Sequence, residues 1–371
     1  MHTAAVVGTG LIGTSIALAL SRSGVAVHLL DIDESAVRTA AALGAGTVDA
    51  PTETVDVAVL AVPPSTVGDV LAAQQTRALA HVYTDVASVK GRPVRDVRSL
   101  ADPVNFIGGH PMAGRELSGP LAASASLFEG RSWVLTPTPA TTTATLNRAL
   151  EVVALCGAIP VVMDSESHDR AVALVSHAPH AVAALMAARL EHMPHDAARL
   201  AGQGLRDVTR IAGGDPELWA DILAHNAPAV ADVLAGLADD LLLAVAALRA
   251  LATADGTVGG TDGAAHLVDL LRRGGRGRAQ VPSKHGRKPS HTAPVRVLIG
   301  DRPGELARLL ATVAGSGVNV EEVSIDHSPG DRSGRVELLV DQAAVLTTAQ
   351  QLADQGWSVQ PDTGRSLLRR P

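Results

Sequence analysis

The chain has 371 residues, of which 46% are hydrophobic, and a formal net charge of −7. This length predicts two or three domains with sizeable cores, and the negative charge gives no reason to expect a nucleic acid or an anionic membrane as partner. Cys156 is the single cysteine, which excludes a disulfide framework and a cysteine-based zinc site. Without a signal peptide or an uninterrupted apolar run long enough to span a bilayer, we expect a soluble, cytoplasmic protein.

The first residues predict a dinucleotide-binding α/β fold. A short apolar strand, Ala4–Val7, leads into Gly8-Thr9-Gly10-Leu11-Ile12-Gly13 and then into a helix. Gly8 permits a tight turn, Gly10 lets the backbone approach a pyrophosphate, and Gly13 packs the helix against the strand. The N-terminal N–H groups of that helix would point at the phosphates.

A second apolar strand, Val25–Leu30, ends at Asp31, about 20 residues after the glycines. A carboxylate at this place binds the ribose 2′-hydroxyl and repels a 2′-phosphate, so NAD is favoured over NADP. Periodicity predicts further strands at Val55–Val62, His81–Val86 and Ser132–Thr136. The residues expected to contact the cofactor are Gly8, Gly10, Leu11, Ile12, Gly13, Asp31, Val62 and Pro63.

Two polar residues stand out after these strands. Ser88 follows the strand that ends near Asp85, where it would hydrogen-bond a substrate or the nicotinamide, or else cap the next helix. His110 lies in Gly108-Gly109-His110-Pro111-Met112-Ala113-Gly114, which fixes the backbone and leaves little bulk. Such an imidazole can take a proton from a substrate hydroxyl while hydride leaves the same carbon. The alternative is a loop histidine in a turn.

From Asp164 to about Ala252 the periodicity is helical. Asp164 or Ser165 is expected to cap the first helix, and Pro179 is expected to bend it. His177 and His180 are neighbours on one face of that helix. Three interpretations of this pair are open: a metal site, core histidines with hydrogen-bond partners, or hydrogen-bond donors to an anionic substrate. A metal pair is disfavoured because no third ligand is evident.

The next helix presents Asp207 and Arg210 three residues apart, so that a carboxylate can orient a guanidinium. An arginine held in this way is a bidentate clamp for a substrate carboxylate, and the alternative is a solvated ion pair. A tryptophan such as Trp219 more often packs in a core than binds a ligand. The long apolar helix Ala227–Leu251 is too hydrophobic for the surface of a monomer and predicts a homodimer.

In this order, the motifs resemble the prephenate dehydrogenase and arogenate dehydrogenase family of tyrosine biosynthesis, over residues 1 to about 250. The motifs that carry the resemblance are Gly8–Gly13, Asp85-x-x-Ser88-x-Lys90, Gly109-His110-Pro111-Met112-Ala113-Gly114, Leu127-Phe128-Glu129-Gly130, His168-Asp169, Ser176-His177-x-Pro179-His180, and Asp207-x-x-Arg210 through Asp215-Pro216-x-x-Trp219.

The resemblance implies a Rossmann-like NAD-binding domain over 1–163 and an all-helical substrate and dimerisation domain over 164–271. It implies oxidation at C4 of prephenate by hydride transfer to NAD, with loss of the ring carboxylate as CO2. His110 would accept the proton of the 4-hydroxyl, with Ser88 assisting. His180 and Arg210 would bind substrate carboxylate. The supporting residues would be His177, Asp207 and Trp219.

Substrate choice stays open at this point. Arg115 would attract the keto-acid carboxylate of prephenate, whereas Glu116 would attract the ammonium group of arogenate. Prephenate is favoured because it is the commoner activity in the family. A rival from another class is a non-catalytic, amino-acid-responsive binding protein on the same scaffold.

The C-terminal part begins with a basic stretch, residues 272–293, that lacks apolar periodicity and predicts a flexible linker. Beyond it, strands and helices are expected in the order βαββαβ, a ferredoxin-like fold over residues 294–371. The predicted segments are the strand Val295–Ile299, a helix opened by Pro303, the strands Val318–Asp326 and Arg335–Val340, the helix Ala343–Gln355 and the strand Trp357–Val359.

Asp301-x-Pro303-Gly304-Glu305-Leu306 and Gly317-Val318-Asn319 resemble the ACT family of amino-acid-sensing domains. The resemblance implies an effector site at Asp301, Gly304 and Asn319, with tyrosine as the expected effector. The alternative is a domain that only stabilises the dimer.

Overall fold

The computed structural model describes residues 1–114, 118–194, 199–253, 262–281, 292–300, 302–327 and 333–360. They belong to two compact units, Met1–Ala238 and Asp239–Pro371. Three residues with a predicted role, Arg115, Glu116 and Asp301, lie outside the described residues, as do residues 282–291 of the predicted linker.

In the described part of the first unit, seven strands form one sheet in the order β2-β1-β3-β4-β5-β6-β7. The first five strands of this order are parallel, β6 is antiparallel to β5, and β7 is parallel to β6. The strands are β1 Thr3–Val7, β2 Ala26–Leu30, β3 Val55–Leu60, β4 Ala80–Asp85, β5 Phe106–Pro111, β6 Ser132–Thr136 and β7 Ile159–Val162.

Helices cover both faces of this sheet and then continue as a helical region. The helices are α1 Leu11–Arg22, α2 Glu34–Ala42, α3 Val67–Thr76, α4 Gly91–Leu100, α5 Thr143–Leu155, α6 Ser165–Val172, α7 Ala178–Ala188, α8 Gln203–Ile211, α9 Pro216–His225 and α10 Ala227–Thr253, with short 3-10 turns at Pro64–Thr66 and Pro120–Ala122. This arrangement confirms the predicted strand–glycine–helix start and the helical pattern after Asp164.

Alternate residues of the central strands enter two different cores. Val6 of β1 packs with Val57 and Val59 of β3 on one face, whereas Val7 and Leu60 pack on the other. Parallel strands that are buried on both faces therefore need an unbroken apolar run, which is why β1 and β3 are recognisable in the sequence.

Strand β5 contains the Gly-Gly-His-Pro motif, for which the sequence pattern predicted no strand. His110 pairs with Val134 of the antiparallel strand β6, so it is not a loop histidine in a turn. The glycines are required by packing: a Cβ on Gly108 would lie 2.4 Å from Thr136 Oγ1, and one on Gly109 would lie 2.6 Å from the Asp85 carbonyl oxygen. Close neighbours, and not a need for chain flexibility, select glycine here.

Asp164 caps α6, as predicted, with its carboxylate accepting a hydrogen bond from the Ser167 N–H at 2.7 Å. The helix does not run straight into α7, because residues Ala173–His177 form one π-helical turn immediately before Pro179. Pro179 has no N–H for the backbone carbonyl one turn earlier. The predicted irregularity at Pro179 is therefore a widened turn on its N-terminal side.

By length and composition alone, the helical stretch Ser165–Ala188 could cross a membrane, although we expected no such segment. In the fold it carries four polar residues that are buried inside the first unit. These residues are His168, Asp169, His177 and His180. Their burial shows that one side of the stretch packs into this unit, whereas Leu174, Val175 and Leu185 on it are exposed.

The second unit contains the order βαββαβ that the sequence predicts. The elements are β8 Thr292–Gly300, α12 Glu305–Gly315, β9 Val320–His327, β10 Ser333–Asp341, α13 Val345–Asp354 and β11 Ser358–Gln360, preceded by α11 Asp262–Arg278. The sheet is antiparallel with strand order β11-β8-β10-β9, which is a ferredoxin-like topology. Val297, Leu309 and Leu338 are among its core residues.

Two boundaries in this unit differ from the sequence-based expectation. Helix α12 begins at Glu305, after Gly304 in a left-handed conformation with φ of +90°, and not at Pro303. Helix α11 continues to Arg278, so residues 272–278, the start of the predicted linker, are helical. Exposed arginines give a helix no apolar stripe, which is why the helical structure of residues 272–278 was not evident in the sequence.

Candidate active site

The glycine-rich turn between β1 and α1 leaves room for a ligand on one side only. A Cβ on Gly8, whose φ is +101°, would lie 2.1 Å from the Ala61 carbonyl oxygen, and one on Gly13 would lie 1.8 Å from the Gly8 carbonyl oxygen. A Cβ on Gly10 would meet none of the described atoms within 4 Å. Gly8 and Gly13 therefore serve close packing, while Gly10 borders open space at the start of α1.

No side chain caps α1, whose N-terminal residues Leu11 and Ile12 follow Gly10. The first N–H groups of a helix have no partner within it, and its dipole favours an anion there. Val62 is half-buried and Pro63 is exposed just after β3. These residues border the same edge of the sheet, and together they form a cradle that fits a dinucleotide pyrophosphate.

The Asp31 carboxylate is held in a fixed orientation at the end of β2. Its Oδ2 accepts hydrogen bonds from the Thr9 N–H at 2.6 Å and from Thr9 Oγ1 at 2.9 Å, and its Oδ1 accepts from the Asp33 N–H at 3.0 Å. Burial favours a raised pKa for this carboxyl group, but the hydrogen bonds from Asp33 and Thr9 outweigh it and lower the pKa. Asp31 is thus a pre-oriented anion, suited to a ribose hydroxyl.

A fully buried ion pair lies beneath the strand that carries His110. Lys90 Nζ donates to Asp85 Oδ2 at 2.5 Å and to the Gly109 carbonyl oxygen at 2.6 Å. Asp85 Oδ1 accepts from the Gly109 N–H at 2.8 Å. Both polar groups of the Gly109 backbone are therefore bound by this pair, which fixes the residue before His110 relative to β4.

Three side chains from β5 and α6 form a buried hydrogen-bonded chain. His110 Nδ1 lies 2.9 Å from His168 Nε2, and His168 Nδ1 lies 2.8 Å from Asp169 Oδ1. The Asp169 carboxylate also accepts the backbone N–H groups of Lys90 at 2.8 Å and Gly91 at 2.7 Å. Asp169 thereby ties the start of α4 to the histidines.

The order of donors in this chain follows from Asp169. Burial by itself favours a raised pKa for this carboxyl group, but hydrogen bonds from His168, Lys90 and Gly91 lower the pKa, so it is a carboxylate and only accepts. His168 therefore donates through Nδ1, and the tautomer with its hydrogen on Nδ1 accepts through Nε2. His110 must then donate through Nδ1, which leaves its Nε2 with a lone pair.

Burial lowers the pKa of His110 well below its usual value; any positive charge on His168 or His177, and the charge of Lys90, lower this pKa further. The ring is therefore neutral at neutral pH. A neutral, oriented imidazole with one free lone pair is a general base. Ser88 is half-buried on the loop between β4 and α4; it does not cap α4, because that helix begins at Gly91 with Lys90 in the capping position.

A second group of rings lies on α7, on the π-helical turn before it and on α9. The His180 imidazole stacks on Trp219 with 3.5 Å between ring centroids and 7° between planes, and His177 meets Trp219 edge-on at 6.3 Å. A Cβ on Gly214 would lie 2.3 Å from Trp219 Nε1, so the Gly-Gly turn before α9 lets the backbone pass close to this pair. Burial lowers the pKa of His180.

The arginine expected to clamp a substrate carboxylate is exposed on α8. Asp207, on the same helix, accepts a hydrogen bond from Gln203 at 2.9 Å. The role of Arg210 and its orientation by Asp207 therefore stay predictions. Gly304 and Asn319 lie in the second unit, where Asn319 Nδ2 donates to Glu321 Oε1 at 2.8 Å.

Sequence reasoning assigned no role to four buried polar residues in the first unit. They are Asp85, Lys90, Asp169 and Asn226. His168 and Asp169 appeared in the sequence only as a motif of the family resemblance, without a role, and Asn226 resembles an ordinary end of a helix. Their partners are 5 to 79 residues away, a relationship that no local pattern encodes.

Comparison with known proteins shows which family this chain resembles. Residues 16–162 match the family described as prephenate dehydrogenase, nucleotide-binding domain, and residues 164–253 match prephenate dehydrogenase, dimerization domain. The chain is 43% identical over 361 residues to a probable prephenate dehydrogenase, NovF, of Streptomyces niveus, covering 96% of this chain and 99% of the relative.

Two solved structures resemble it as well. Prephenate dehydrogenase from A. aeolicus in complex with hydroxyphenyl propionate and NAD+ is similar with a TM-score of 0.64 and 30% identity, over 75% of this chain and 97% of that one. Synechocystis arogenate dehydrogenase is similar with a TM-score of 0.59 and 28% identity, over 74% of this chain and 99% of that one.

Proposed function

We propose, on the premise that this chain belongs to the prephenate dehydrogenase family, that it is an NAD-dependent enzyme that converts prephenate to 4-hydroxyphenylpyruvate and CO2. The observation that carries the proposal is the buried, neutral His110, whose only free lone pair is on Nε2. The open side of the glycine-rich turn at Gly10 and the oriented carboxylate of Asp31 fit the dinucleotide.

NAD, when bound along Gly8–Gly13 and Asp31, supplies the hydride acceptor for C4 of the substrate. His110 Nε2 takes the proton from the 4-hydroxyl, so that the C–O bond becomes a carbonyl. The bond to the ring carboxylate then breaks and CO2 leaves. Its electron pair completes the aromatic ring, and the phenolate oxygen takes up a proton. Asp169, through His168, stabilises the imidazolium that forms on His110.

Substrate carboxylates would bind to His180 and Arg210, with His177 beside them. Trp219 holds the His180 ring in place by stacking, which is support for a positioning role. Ser88, at the carboxyl end of β4, would hydrogen-bond the 4-hydroxyl or the nicotinamide. The expected product of hydride and CO2 loss is aromatic, which makes the overall step effectively irreversible.

The test is formation of NADH, followed by its near-ultraviolet absorbance, with prephenate and with arogenate, each with NAD and with NADP. We expect turnover with prephenate and NAD. Turnover with arogenate alone would make this an arogenate dehydrogenase, like the Synechocystis relative. No turnover with either substrate would favour a non-catalytic, amino-acid-responsive binding protein.

Residues Arg115 and Glu116 are proposed to set the substrate preference by charge. If Glu116 attracts an ammonium group, Glu116→Gln lowers kcat/KM for arogenate relative to prephenate. An unchanged ratio of kcat/KM for the two substrates would show that Glu116 does not discriminate between them by charge.

We propose that the second unit is an ACT-like domain through which tyrosine inhibits the enzyme. The support is its βαββαβ order, the left-handed Gly304 before α12 and the polar Asn319 near the start of β9. We expect Asn319→Leu in the full chain to abolish inhibition by tyrosine and to leave the rate without tyrosine unchanged. Equal inhibition of both forms would refute this site.

A homodimer is proposed to cover the apolar face of α10. The support is the match to a dimerization domain and the exposure of large leucines on that helix, which include Leu241, Leu242 and Leu248. We also propose that the enzyme is soluble and cytoplasmic, which fits a biosynthetic function of this kind. Sedimentation of the full chain tests the dimer.

A further inference from the structure

The side chain of Asn226 lies between two acceptors deep in the first unit. Asn226 follows α9 and is 4% exposed. Its Nδ2 lies 2.8 Å from the Asp169 carbonyl oxygen and 3.1 Å from His177 Nδ1. A carbonyl oxygen can only accept, so the NH2 end of the amide must face Asp169. The second hydrogen of the same NH2 group is then available to His177 Nδ1.

This contact fixes the tautomer of His177. With a donor opposite Nδ1, the neutral ring carries its hydrogen on Nε2; the other tautomer would place two N–H groups against each other. Burial lowers the pKa of His177 to about 4, so the ring is neutral at the pH of the cell.

The Nε2–H that results has no hydrogen-bond partner among the described residues, although the ring is 1% exposed. Buried donors without partners are rare in folded proteins, and each calls for an explanation, of which a role in the active site is one. The His177 ring lies 6.3 Å from Trp219, centroid to centroid and nearly perpendicular to it, and His180 stacks on the same tryptophan. The unpaired donor therefore belongs to the same group of rings that we propose to bind substrate.

We propose that Asn226 is a positioning residue that holds His177 as an Nε2–H donor to a carboxylate oxygen of the substrate. The proposal rests on the proposed function, because the substrate supplies that carboxylate. Asn226 also binds the carbonyl of Asp169, whose side chain orients His168 and, through it, His110. Asp169 of α6 is thus linked through its carbonyl to Asn226, and so to His177, and through its carboxylate to His168 and His110.

The tautomer is measured directly in the full chain labelled with 15N-histidine. Protonated and unprotonated ring nitrogens differ strongly in 15N chemical shift, and the signals of His177 are those absent from the spectrum of His177→Gln. We expect protonated Nε2 in the wild type. In Asn226→Asp an oxygen replaces the donor, and we expect the proton to move to Nδ1. An Nδ1–H tautomer in the wild type would overturn the proposal.

A double-mutant cycle separates positioning from a merely structural role. Asn226→Asp should raise KM for prephenate roughly 10- to 100-fold, the size of a lost hydrogen bond to a charged group, with a smaller change in kcat. In a His177→Gln background it should raise KM no further, and any effect through the Asp169 carbonyl should appear in kcat alone. Additive losses in the two backgrounds would contradict the proposal.

Asn105→Asp is the matched control, because the Asn105 amide accepts a hydrogen bond from Gln75 Nε2 at 2.8 Å elsewhere in this unit; it should leave KM and the His177 signals unchanged. If Asn226→Asp does not fold, Asn226→Ser serves in its place. The wild-type spectrum needs neither variant nor substrate. An inactive protein with the expected tautomer would refute the proposed substrate, whereas an active protein with the other tautomer would refute the role of Asn226.

Discussion

His110 Nδ1 and His168 Nε2 are joined by a buried hydrogen bond of 2.9 Å between a strand and a helix that are 58 residues apart. Because His168 is itself held by the Asp169 carboxylate, the bond fixes both the orientation and the tautomer of His110. The lone pair on His110 Nε2 is thus a property of the assembled fold. Four predictions follow from the surroundings of this pair.

Replacing the proposed base should lower kcat strongly and leave the affinity for NAD unchanged. We expect His110→Asn to lower kcat by about 10²- to 10⁴-fold, the usual loss when a general base is removed. NAD binding, measured by titration calorimetry, should not change, because the cradle at Gly8–Gly13 is formed by other residues. A variant with the wild-type rate would exclude His110 as the base.

His168 should matter only through His110. In His168→Gln the imidazole that links His110 to Asp169 is lost, and we expect kcat to fall about 10- to 100-fold, less than for His110→Asn. The double variant should be no slower than His110→Asn alone, because residues that act as a unit are not additive. Multiplicative losses in steady-state kinetics would show that His168 acts independently.

Two pH dependences follow from the lowered histidine pKa values. His110 must be neutral to accept a proton, and burial keeps its pKa below 6.5, so the acid limb of kcat/KM should have an apparent pKa below 6.5. In the unfolded chain the histidines titrate normally and take up protons first. Folding stability should therefore be complete above about pH 6.5 and should decrease as the pH falls towards the folded pKa, which is about 4 for His177.

Urea unfolding at several pH values, together with the pH profile of kcat/KM, checks both statements. Stability that rises on acidification from neutral pH to pH 5 would contradict neutral, buried histidines. An acid limb above the ordinary histidine pKa would show that another group, and not His110, controls the rate.

Lys90→Met should destabilise the first unit strongly. It leaves the Asp85 carboxylate buried without its cation, and breaking a buried pair in this way costs about 3–5 kcal/mol. The comparison is Arg38→Ala, which removes an exposed pair with Glu34 and should cost no more than about 1 kcal/mol. Equal free energies of unfolding for the two variants would mean that the Lys90–Asp85 pair contributes no more than a surface pair.

Much of the fold could be predicted because its signals are local. The strand, the glycines, helix α1 and Asp31 follow each other within the first 31 residues, and each has a steric or electrostatic reason to be where it is. The βαββαβ order of the second unit is encoded in the same way, by apolar alternation in strands and apolar stripes in helices.

Strand β5 could not be predicted from its own residues, since glycine and proline weaken the strand pattern. The strand is defined by its pairing with β4 and β6, and Asp85 and Thr136 on those strands leave room only for glycine at positions 108 and 109. The roles of Arg115, Glu116 and Asp301 stay predictions from the sequence, since these residues lie outside the described part of the chain.

Motifs of contiguous residues were enough to predict His110 as a candidate base and Gly8–Gly13 as a dinucleotide site, because such motifs are local. The partner of His110 Nδ1, the contacts of Lys90 and Asp85 with Gly109, and the contact between Asn226 and His177 became visible only in the folded chain. These contacts are hydrogen bonds between residues that are distant in the sequence, from side chain to side chain or from side chain to backbone. Their geometry is set by how the sheet and helices pack, and not by the periodicity of any one of them.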